Sequence, residues 1–120
     1  MVLRVAPASA TAILAPWRHD PHCDHEAAAL IAERVATLRN LRLVSYPVWG
    51  WTLPPATDID EPVRAGWRLD IARHLQAKRR AIGAHRSQFG GMITDDPTGF
   101  QLPPHLLAIS DQPYETFLLS

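Results

Sequence analysis

The sequence predicts an α/β fold in which helices flank a parallel sheet. A continuous apolar run at residues 11–15 is typical of a strand that is buried on both faces of such a sheet. Apolar residues at helical spacing follow over residues 23–38, and a second strand-like run follows over residues 41–46. A strand, a helix and a strand in this order form the unit from which parallel sheets are built.

The first helix has recognisable sequence boundaries. Pro16 ends the preceding apolar run, and Asn40 is a residue type that commonly ends helices. Between them, apolar residues recur at helical spacing and predict the face that packs on the sheet: Ala28, Ile31, Val35 and Leu38. We therefore expect an amphipathic helix from Cys23 to about Leu38.

The second half of the chain predicts shorter elements separated by loops. The proline- and acid-containing stretch 54–62 predicts a surface loop. Apolar residues at Ile71, Leu75 and Ile82 predict a second surface helix over residues 71–85, with its basic side chains facing solvent. The other expected elements are a strand at 66–70, a turn at 95–99, a short helix at 103–109 and a closing strand at 114–118.

Composition narrows the setting of the protein. A chain of 120 residues, 47% of them hydrophobic, predicts one compact domain over residues 1–120. Basic and acidic residues balance at 12 each, so we expect neither a nucleic acid nor a membrane surface as partner. Cys23 is the only cysteine, which excludes an internal disulfide framework and fits a reducing compartment, by default the cytoplasm.

The first 15 residues loosely imitate a secretory signal, but we do not expect one. Pro7, Ser9 and Thr11 interrupt the apolar stretch that a signal needs. No apolar run in the chain approaches the roughly 18 residues that a membrane-spanning helix requires. The sequence therefore predicts a soluble protein.

Seven consecutive residues after the first predicted strand, numbers 19–25, carry most of the chemistry of the chain. They combine three imidazoles, two carboxylates and a thiol: His19, His22, His25, Asp20, Asp24 and Cys23. Imidazole and carboxylate bind zinc, and both serve as acid, base or oxyanion donor in metal-assisted hydrolysis. Because open α/β sheets bind ligands at the carboxyl ends of their strands, we expect one wall of an active site here.

Residues 17–27, Trp-Arg-His-Asp-Pro-His-Cys-Asp-His-Glu-Ala, resemble the second conserved motif of the PIG-L/LmbE-like de-N-acetylases, a His-Pro-Asp-His signature that follows a strand. Residues 46–49, 77–82 and 84–88 are similar to blocks that recur in the same order in the bacterial branch of that family. The resemblance covers nearly the whole chain, and the ordered set makes it more specific than the short motif alone.

The resemblance implies a Rossmann-like fold and a zinc-dependent hydrolase that removes acetyl groups from N-acetylglucosamine-type amides. His25 matches the zinc-binding histidine of the motif, His22 the histidine that stabilises the tetrahedral intermediate, and Asp24 the carboxylate between them. Zinc polarises the amide carbonyl and activates water, while a nearby imidazolium offsets oxyanion charge. The implied cofactor is Zn²⁺, and the implied partner is a small N-acetylated, sugar-like substrate.

The chain departs from the family pattern at two points. Cys23 stands where the family more usually has proline, which places a thiol beside the expected metal. The family's N-terminal His-Pro-Asp-Asp-Glu motif, which supplies two further zinc ligands and the general base, has no counterpart here. Since hydrolytic zinc sites use three protein ligands and a water, we expect a C-terminal fragment of such an enzyme with an incomplete metal site.

Two alternatives stay open at this point. One is a non-catalytic interaction domain that pairs with a second copy or with a chain carrying the missing strands, as an exposed sheet edge would favour. The other is a self-contained metal site made of His19, His22, Cys23 and His25. Ligands so close in sequence rarely close a tetrahedron around one ion, and Pro21 favours an extended backbone at Asp20.

Four further residues are weaker candidates for substrate contacts. Arg18 can bind a substrate oxygen, although a salt bridge to Asp20 or Glu26 competes with this role. Trp49 can stack on a sugar ring, although large aromatic side chains more often belong to the core. Ser87 and Gln88 follow the second predicted helix and are candidates for hydrogen bonds to substrate.

Overall fold

The computed structural model describes residues 7–59, 65–89 and 101–119, and it has an α/β architecture, as predicted. The strands among these residues are β1 (Ala12–Pro16), β2 (Arg42–Tyr46), β3 (Ala65–Asp70) and β4 (Tyr114–Leu119). The α-helices of the same residues are α1 (Cys23–Arg39), α2 (Leu75–Ala84) and α3 (Pro104–Ser110). The four strands form one sheet in the order β1-β2-β4-β3.

The chain divides by its internal contacts into two compact units. The first comprises Met1–Arg68 and Thr116–Ser120, and the second comprises Leu69–Glu115. Within the described ranges, no helix combines the length and the apolar character needed to cross a bilayer.

The first unit contains the predicted strand–helix–strand motif. Strands β1 and β2 pair in parallel, from Ala12 opposite Arg42 to Pro16 opposite Tyr46, and α1 contacts both. Strand β4 pairs antiparallel to β2, so the sheet is mixed rather than wholly parallel as we expected. That expectation depended on the strand–helix–strand motif, which constrains β1 and β2 but not a strand that comes later in the chain.

Strand β1 lies at one end of the sheet, and Pro16 fits this position. The carbonyl of Thr11 accepts from the N–H of Arg42 at 3.1 Å, and the N–H of Trp17 donates to the carbonyl of Tyr46 at 2.9 Å. Because successive residues of a strand alternate in direction, position 16 turns its backbone nitrogen away from β2. A proline there removes no hydrogen bond from the β1–β2 pair.

Helix α1 begins and ends where the sequence predicts. His22 has an extended backbone and caps the start, since its Nδ1 accepts from the N–H of Asp24 at 3.2 Å. At the other end, Asn40 takes a left-handed φ of 50°, and its N–H donates to the carbonyls of Ala36 and Thr37. Asparagine tolerates this conformation better than most residues with a side chain, which explains the helix stop.

The buried face of α1 differs in part from the predicted one, since only Val35 of the predicted residues is buried. Ile31 and Leu38, which we expected to pack on the sheet, are 52% and 53% exposed. The buried residues are mostly alanines: Ala29, Ala32, Val35 and Ala36. Apolar residues surround most of this helix, so spacing alone did not select a face. Small side chains allow a helix to approach a sheet closely, which explains why the alanine-rich face of α1 packs on the sheet.

Strand β3 approaches β4 closely within the first unit, and Gly66 makes this contact sterically feasible. A Cβ at position 66 would lie 2.7 Å from the carbonyl oxygen of Phe117. Next to it, the rings of Trp67 and Phe117 stack with centroids 4.5 Å apart. The strand predicted at residues 66–70 is thus confirmed.

The second unit contains α2 and α3. A 3₁₀-helix at Ala72–His74 precedes α2, so the regular helix starts later than the predicted 71–85 segment. The N–H of Ala72 donates to Oδ1 of Asp70 at 2.8 Å, which stabilises this tighter turn. The short helix predicted at 103–109 is confirmed as α3, and the closing strand as β4.

Two basic side chains of α2 form ion pairs instead of facing only solvent. Arg79 donates to both carboxylate oxygens of Asp111, at 2.6 and 2.8 Å, and Nζ of Lys78 lies 2.8 Å from Glu115. The guanidinium of Arg79 lowers the pKa of the Asp111 carboxyl below its usual value. The predicted turn at 95–99 and the end of the predicted loop at 54–62 lie outside the described residues.

Candidate functional site

The histidine-rich segment forms a tight turn between β1 and α1. The N–H of Asp20 donates to the carbonyl of Trp17 at 3.0 Å, and the N–H of His22 donates to the carbonyl of Asp20 at 2.7 Å. Helix α1 then starts at Cys23. The segment therefore lies at the carboxyl end of a parallel strand and at the amino end of a helix, as predicted from the sequence.

The carboxylate of Asp20 is the buried centre of this turn. Its side chain is fully shielded from solvent. Oδ1 accepts from the N–H groups of Val48 at 2.8 Å and Gly50 at 2.6 Å, and Oδ2 accepts from that of Trp49 at 3.0 Å. Oδ2 also lies 2.5 Å from Nδ1 of His25. One carboxylate thus joins the turn after β1 to the segment that follows β2.

These hydrogen bonds determine the charge state of Asp20. Burial by itself raises the pKa of the Asp20 carboxyl, but hydrogen bonds from His25 and from the backbone of residues 48–50 lower it by more. The pKa therefore lies below its usual value, and the carboxylate is ionised at neutral pH. An ionised carboxylate can only accept hydrogen bonds, so each of its four partners is a donor.

The imidazoles of His22 and His25 lie next to each other at the start of α1. Their ring centroids are 4.8 Å apart, with 34° between the ring planes. The side chain of His25 is 23% exposed, so it is neither in the packed core nor free in solvent. The two histidines that the sequence singled out are thus adjacent, and each uses its Nδ1 for a local hydrogen bond.

Three consecutive residues offer a group of metal-ligand atoms. One ligand atom each from His22, Cys23 and Asp24 lies within 4.8 Å of the others, and all three residues are exposed. The thiol of Cys23 is 3.7 Å from Oδ1 of Asp24. Imidazole, thiolate and carboxylate are all zinc ligands, so the chemistry of this donor set suits zinc.

A cavity of about 420 Å³ opens beside the turn. Its walls include side chains from the histidine-rich segment and from the loop after β2: His19, His22, Cys23, Glu26, Thr57 and Asp58. Among the predicted site residues, His22 lines this cavity, whereas Asp24 and His25 do not. The sequence predicted only a surface loop around residue 57 and gave no reason to connect it with the histidines.

The four weaker candidates for substrate contacts lie in different parts of the chain. Nη1 of Arg18 lies 3.8 Å from a carboxylate oxygen of Glu33, which is not one of the two carboxylates that we expected as its partner. Trp49 contributes its backbone N–H to Asp20, and its side chain is half-buried rather than part of the buried core. Ser87 and Gln88 belong to a short 3₁₀-helix, Arg86–Phe89, in the second unit.

Asp20 and Gly50 are the residues that sequence reasoning missed. The sequence placed Asp20 in the histidine-rich segment but did not predict its backbone partners, which come from residues 48–50. A Cβ at Gly50 would lie 3.0 Å from the ring of Trp17 and 3.1 Å from Oδ1 of Asp20. A glycine between two tryptophans was the available signal, because glycine allows close approach to its backbone.

No protein-family model matches this chain, and neither a curated protein nor a solved structure does.

Proposed function

We propose that this chain bears part of the active site of a zinc-dependent N-deacetylase that acts on small N-acetylated, sugar-like amides. The observation that carries the proposal is the adjacent pair of imidazoles, His22 and His25, at the start of α1. This position follows the carboxyl end of a parallel strand, where α/β proteins bind their ligands. The resemblance of residues 17–27 to the PIG-L-type motif supplies the reaction class.

The proposal also covers the fold of the chain and the compartment in which it works. We assign residues 1–120 to one domain, a partial copy of the Rossmann-like PIG-L fold whose strand–helix–strand part is β1, α1 and β2. The single thiol, Cys23, favours a reducing compartment, and we propose the cytoplasm.

The proposed cofactor is zinc. His25 would hold the ion through Nε2, because its Nδ1 is bonded to Asp20. When bound, zinc polarises an amide carbonyl and makes hydroxide accessible near neutral pH. His22 would donate a hydrogen bond from Nε2 to the oxygen that becomes negatively charged, and Asp24 would be the carboxylate beside it.

The proposed site needs ligands beyond those that match the family. Hydrolytic zinc sites use three protein ligands and a water, and His25 is the one residue here that corresponds to a family ligand. We therefore expect the chain to bind zinc but to hydrolyse acetamides poorly by itself.

Zinc titration of the whole chain by isothermal calorimetry tests this proposal. We expect one zinc site, weakened about 100-fold or more in His25→Gln, because even partners of a ligand typically contribute 10–100-fold. His105→Gln, which removes an exposed imidazole of the second unit, should bind like the wild type. Absence of zinc binding by the wild type, or equal binding by both variants, would overturn the proposal. Acetate release from N-acetylglucosamine by the zinc-loaded chain would overturn its incomplete-site part.

The position of β1 favours a second candidate function, that of a non-catalytic interaction domain. This strand has one neighbour among the described strands, and Leu14 on it is 59% exposed. Unpaired strand edges with apolar side chains pair readily with other chains. Light scattering after size exclusion distinguishes the candidates: concentration-dependent association without zinc binding favours this function, and a monomer at all concentrations contradicts it.

A further inference from the structure

The carboxylate of Asp20 has a filled hydrogen-bond shell. Three backbone N–H groups, those of Val48, Trp49 and Gly50, and one imidazole nitrogen share its two oxygens. Because the carboxylate has no proton to give, the imidazole nitrogen must be the donor. The contact therefore specifies where the proton of His25 resides.

A neutral imidazole carries one proton, on Nδ1 or on Nε2. In His25 the hydrogen bond to Asp20 places it on Nδ1, so Nε2 keeps a lone pair. Nδ1 carries the one hydrogen bond that the His25 ring makes with described residues. Nε2 is thus left as an acceptor on a ring that is partly open to solvent.

The neighbouring ring has the opposite arrangement. Nδ1 of His22 accepts from the backbone N–H of Asp24 at 3.2 Å, because a peptide nitrogen can only donate. A neutral His22 therefore carries its proton on Nε2 and presents a donor. The two imidazoles, whose ring centroids are 4.8 Å apart, thus offer a ligand one hydrogen-bond acceptor, on His25, and one donor, on His22.

We propose that Asp20 is a positioning residue that holds His25 in the Nδ1–H tautomer, so that its Nε2 lone pair faces a ligand beside the Nε2–H donor of His22. A lone pair on one ring suits a cation or an acidic proton, and a donor on the other suits a negatively charged oxygen. The pair therefore fits a ligand with both characters, such as a polarised carbonyl. The ligand role rests on the proposed function, whereas the tautomer assignment does not.

A structural role for Asp20 is the competing explanation, because three of its four partners are backbone N–H groups of one short segment. A carboxylate that only organises residues 48–50 would leave the tautomer of His25 undetermined. Long-range ¹H–¹⁵N correlation spectra of the uniformly ¹⁵N-labelled chain resolve this, since they distinguish the two nitrogens of each ring. The spectra are recorded without metal and in alkaline buffer, well above the ordinary imidazole pKa of about 6.5.

We expect the Nδ1–H form of His25 in roughly tenfold excess or more, as a hydrogen bond to a charged group warrants, and the Nε2–H form of His22. The Nδ1 proton of His25 should also give a far-downfield resonance that exchanges slowly with water. An Nε2–H form of His25, or an even mixture, would overturn the proposal, and this outcome requires no variant.

Asp20→Asn then tests the cause. The amide oxygen can keep the bonds from Val48 and Gly50, which places the amide N–H₂ opposite His25. His25 must then accept at Nδ1, so its proton should move to Nε2. Asp24→Asn is the matched control, because it makes the same change on an exposed carboxylate and should leave the His25 tautomer unaltered. A folded Asp20→Asn protein with an unchanged tautomer would contradict the positioning role.

Zinc affinity separates this inference from the proposed function. If both hold, Asp20→Asn should bind Zn²⁺ about 10–100-fold more weakly than the wild type, the usual effect of removing a carboxylate partner of a histidine ligand. If the wild type shows the Nδ1–H form of His25 but binds no zinc, the proposed function is wrong and the tautomer assignment is right. If Asp20→Asn binds zinc as tightly as the wild type, Asp20 is not a positioning residue, whereas the proposed function is unaffected.

Discussion

Asp20 connects two stretches of chain that are 28 residues apart, because its carboxylate accepts from Val48 and Gly50 as well as from His25. A buried carboxylate with several charge-assisted hydrogen bonds stabilises the fold only while it is ionised. Its removal leaves N–H groups without a partner, which costs more than the bond itself contributes. Asp20 should therefore matter for stability as well as for the proposed site.

We expect Asp20→Asn to lower the free energy of unfolding by roughly 1–3 kcal/mol at neutral pH, the usual cost of leaving a buried hydrogen-bonding group without its partner. The folded state lowers the pKa of this carboxyl, so its contribution is complete above the unfolded-state pKa and is lost as the pH falls through the folded-state value. The difference between wild type and variant should shrink below about pH 5. Urea unfolding from pH 7 to pH 3 measures it, and a difference that does not change with pH would contradict it.

Gly50 leaves little room for a side chain, because a Cβ there would be in tight contact with Trp17 and Asp20. In Gly50→Ala the new methyl group would press on the ring of Trp17 and on the carboxylate of Asp20, and we expect a loss of about 1–3 kcal/mol from this overpacking. Gly83→Ala is the control, because a Cβ there meets open space within α2 and should stabilise the helix by up to about 1 kcal/mol. Thermal unfolding of both variants makes the comparison, and equal effects would refute this account.

Helix α1 offers a direct test of its packing face. Ala32 is 4% exposed and faces the sheet, so Ala32→Leu should cost about 1–3 kcal/mol through overpacking. Ile31 is half exposed, and Ile31→Ala should cost less than about 1 kcal/mol, since only about half of its area leaves water on folding. Chemical denaturation of the two variants measures both values. The reverse order would restore the face that we predicted from the sequence.

The contact between β3 and β4 depends on Gly66. A methyl group at this position would meet the carbonyl oxygen of Phe117, and a backbone atom cannot rotate away as a side chain can. We expect Gly66→Ala to lower the free energy of unfolding by about 1–3 kcal/mol, whereas Ala65→Ser at the exposed neighbouring position should be nearly neutral. Hydrogen exchange of the β3 amides should increase in Gly66→Ala alone. Unchanged hydrogen exchange of the β3 amides in Gly66→Ala would contradict this account of the contact between β3 and β4.

For the chain as a whole, the second candidate function predicts association through the edge of the sheet at β1. If Leu14 promotes pairing of chains, Leu14→Lys should make the protein monomeric at concentrations where the wild type associates, since edge lysines oppose strand pairing. Leu30→Lys is the matched control, because Leu30 is similarly exposed on α1 but lies away from the strand edge. Sedimentation velocity of the three proteins measures this. A wild type that is monomeric throughout, or an equal effect of both lysines, contradicts the role of the edge.

Local sequence patterns predicted the elements of this protein well. Strand β1, helix α1, strand β2 and the later elements with described residues all occur near the expected positions. The reason is that strand and helix formation reflects apolar spacing over a few residues, and that Pro16 and Asn40 act through their own backbone preferences. The candidate site was predicted in part, because His22, Asp24 and His25 are neighbours in sequence.

The features that local sequence patterns did not predict depend on contacts between distant segments of the chain. The antiparallel β4, the alanine face of α1 and the partners of Asp20 all join residues that are far apart in the chain. A carboxylate in a short turn has several polar groups within reach, and burial beside residues 48–50 selects among them. Amino-acid order thus specified the elements and the chemical groups at the turn. Packing specified which face of α1 is buried and which nitrogen of His25 contacts Asp20, because both depend on partners that no local pattern includes.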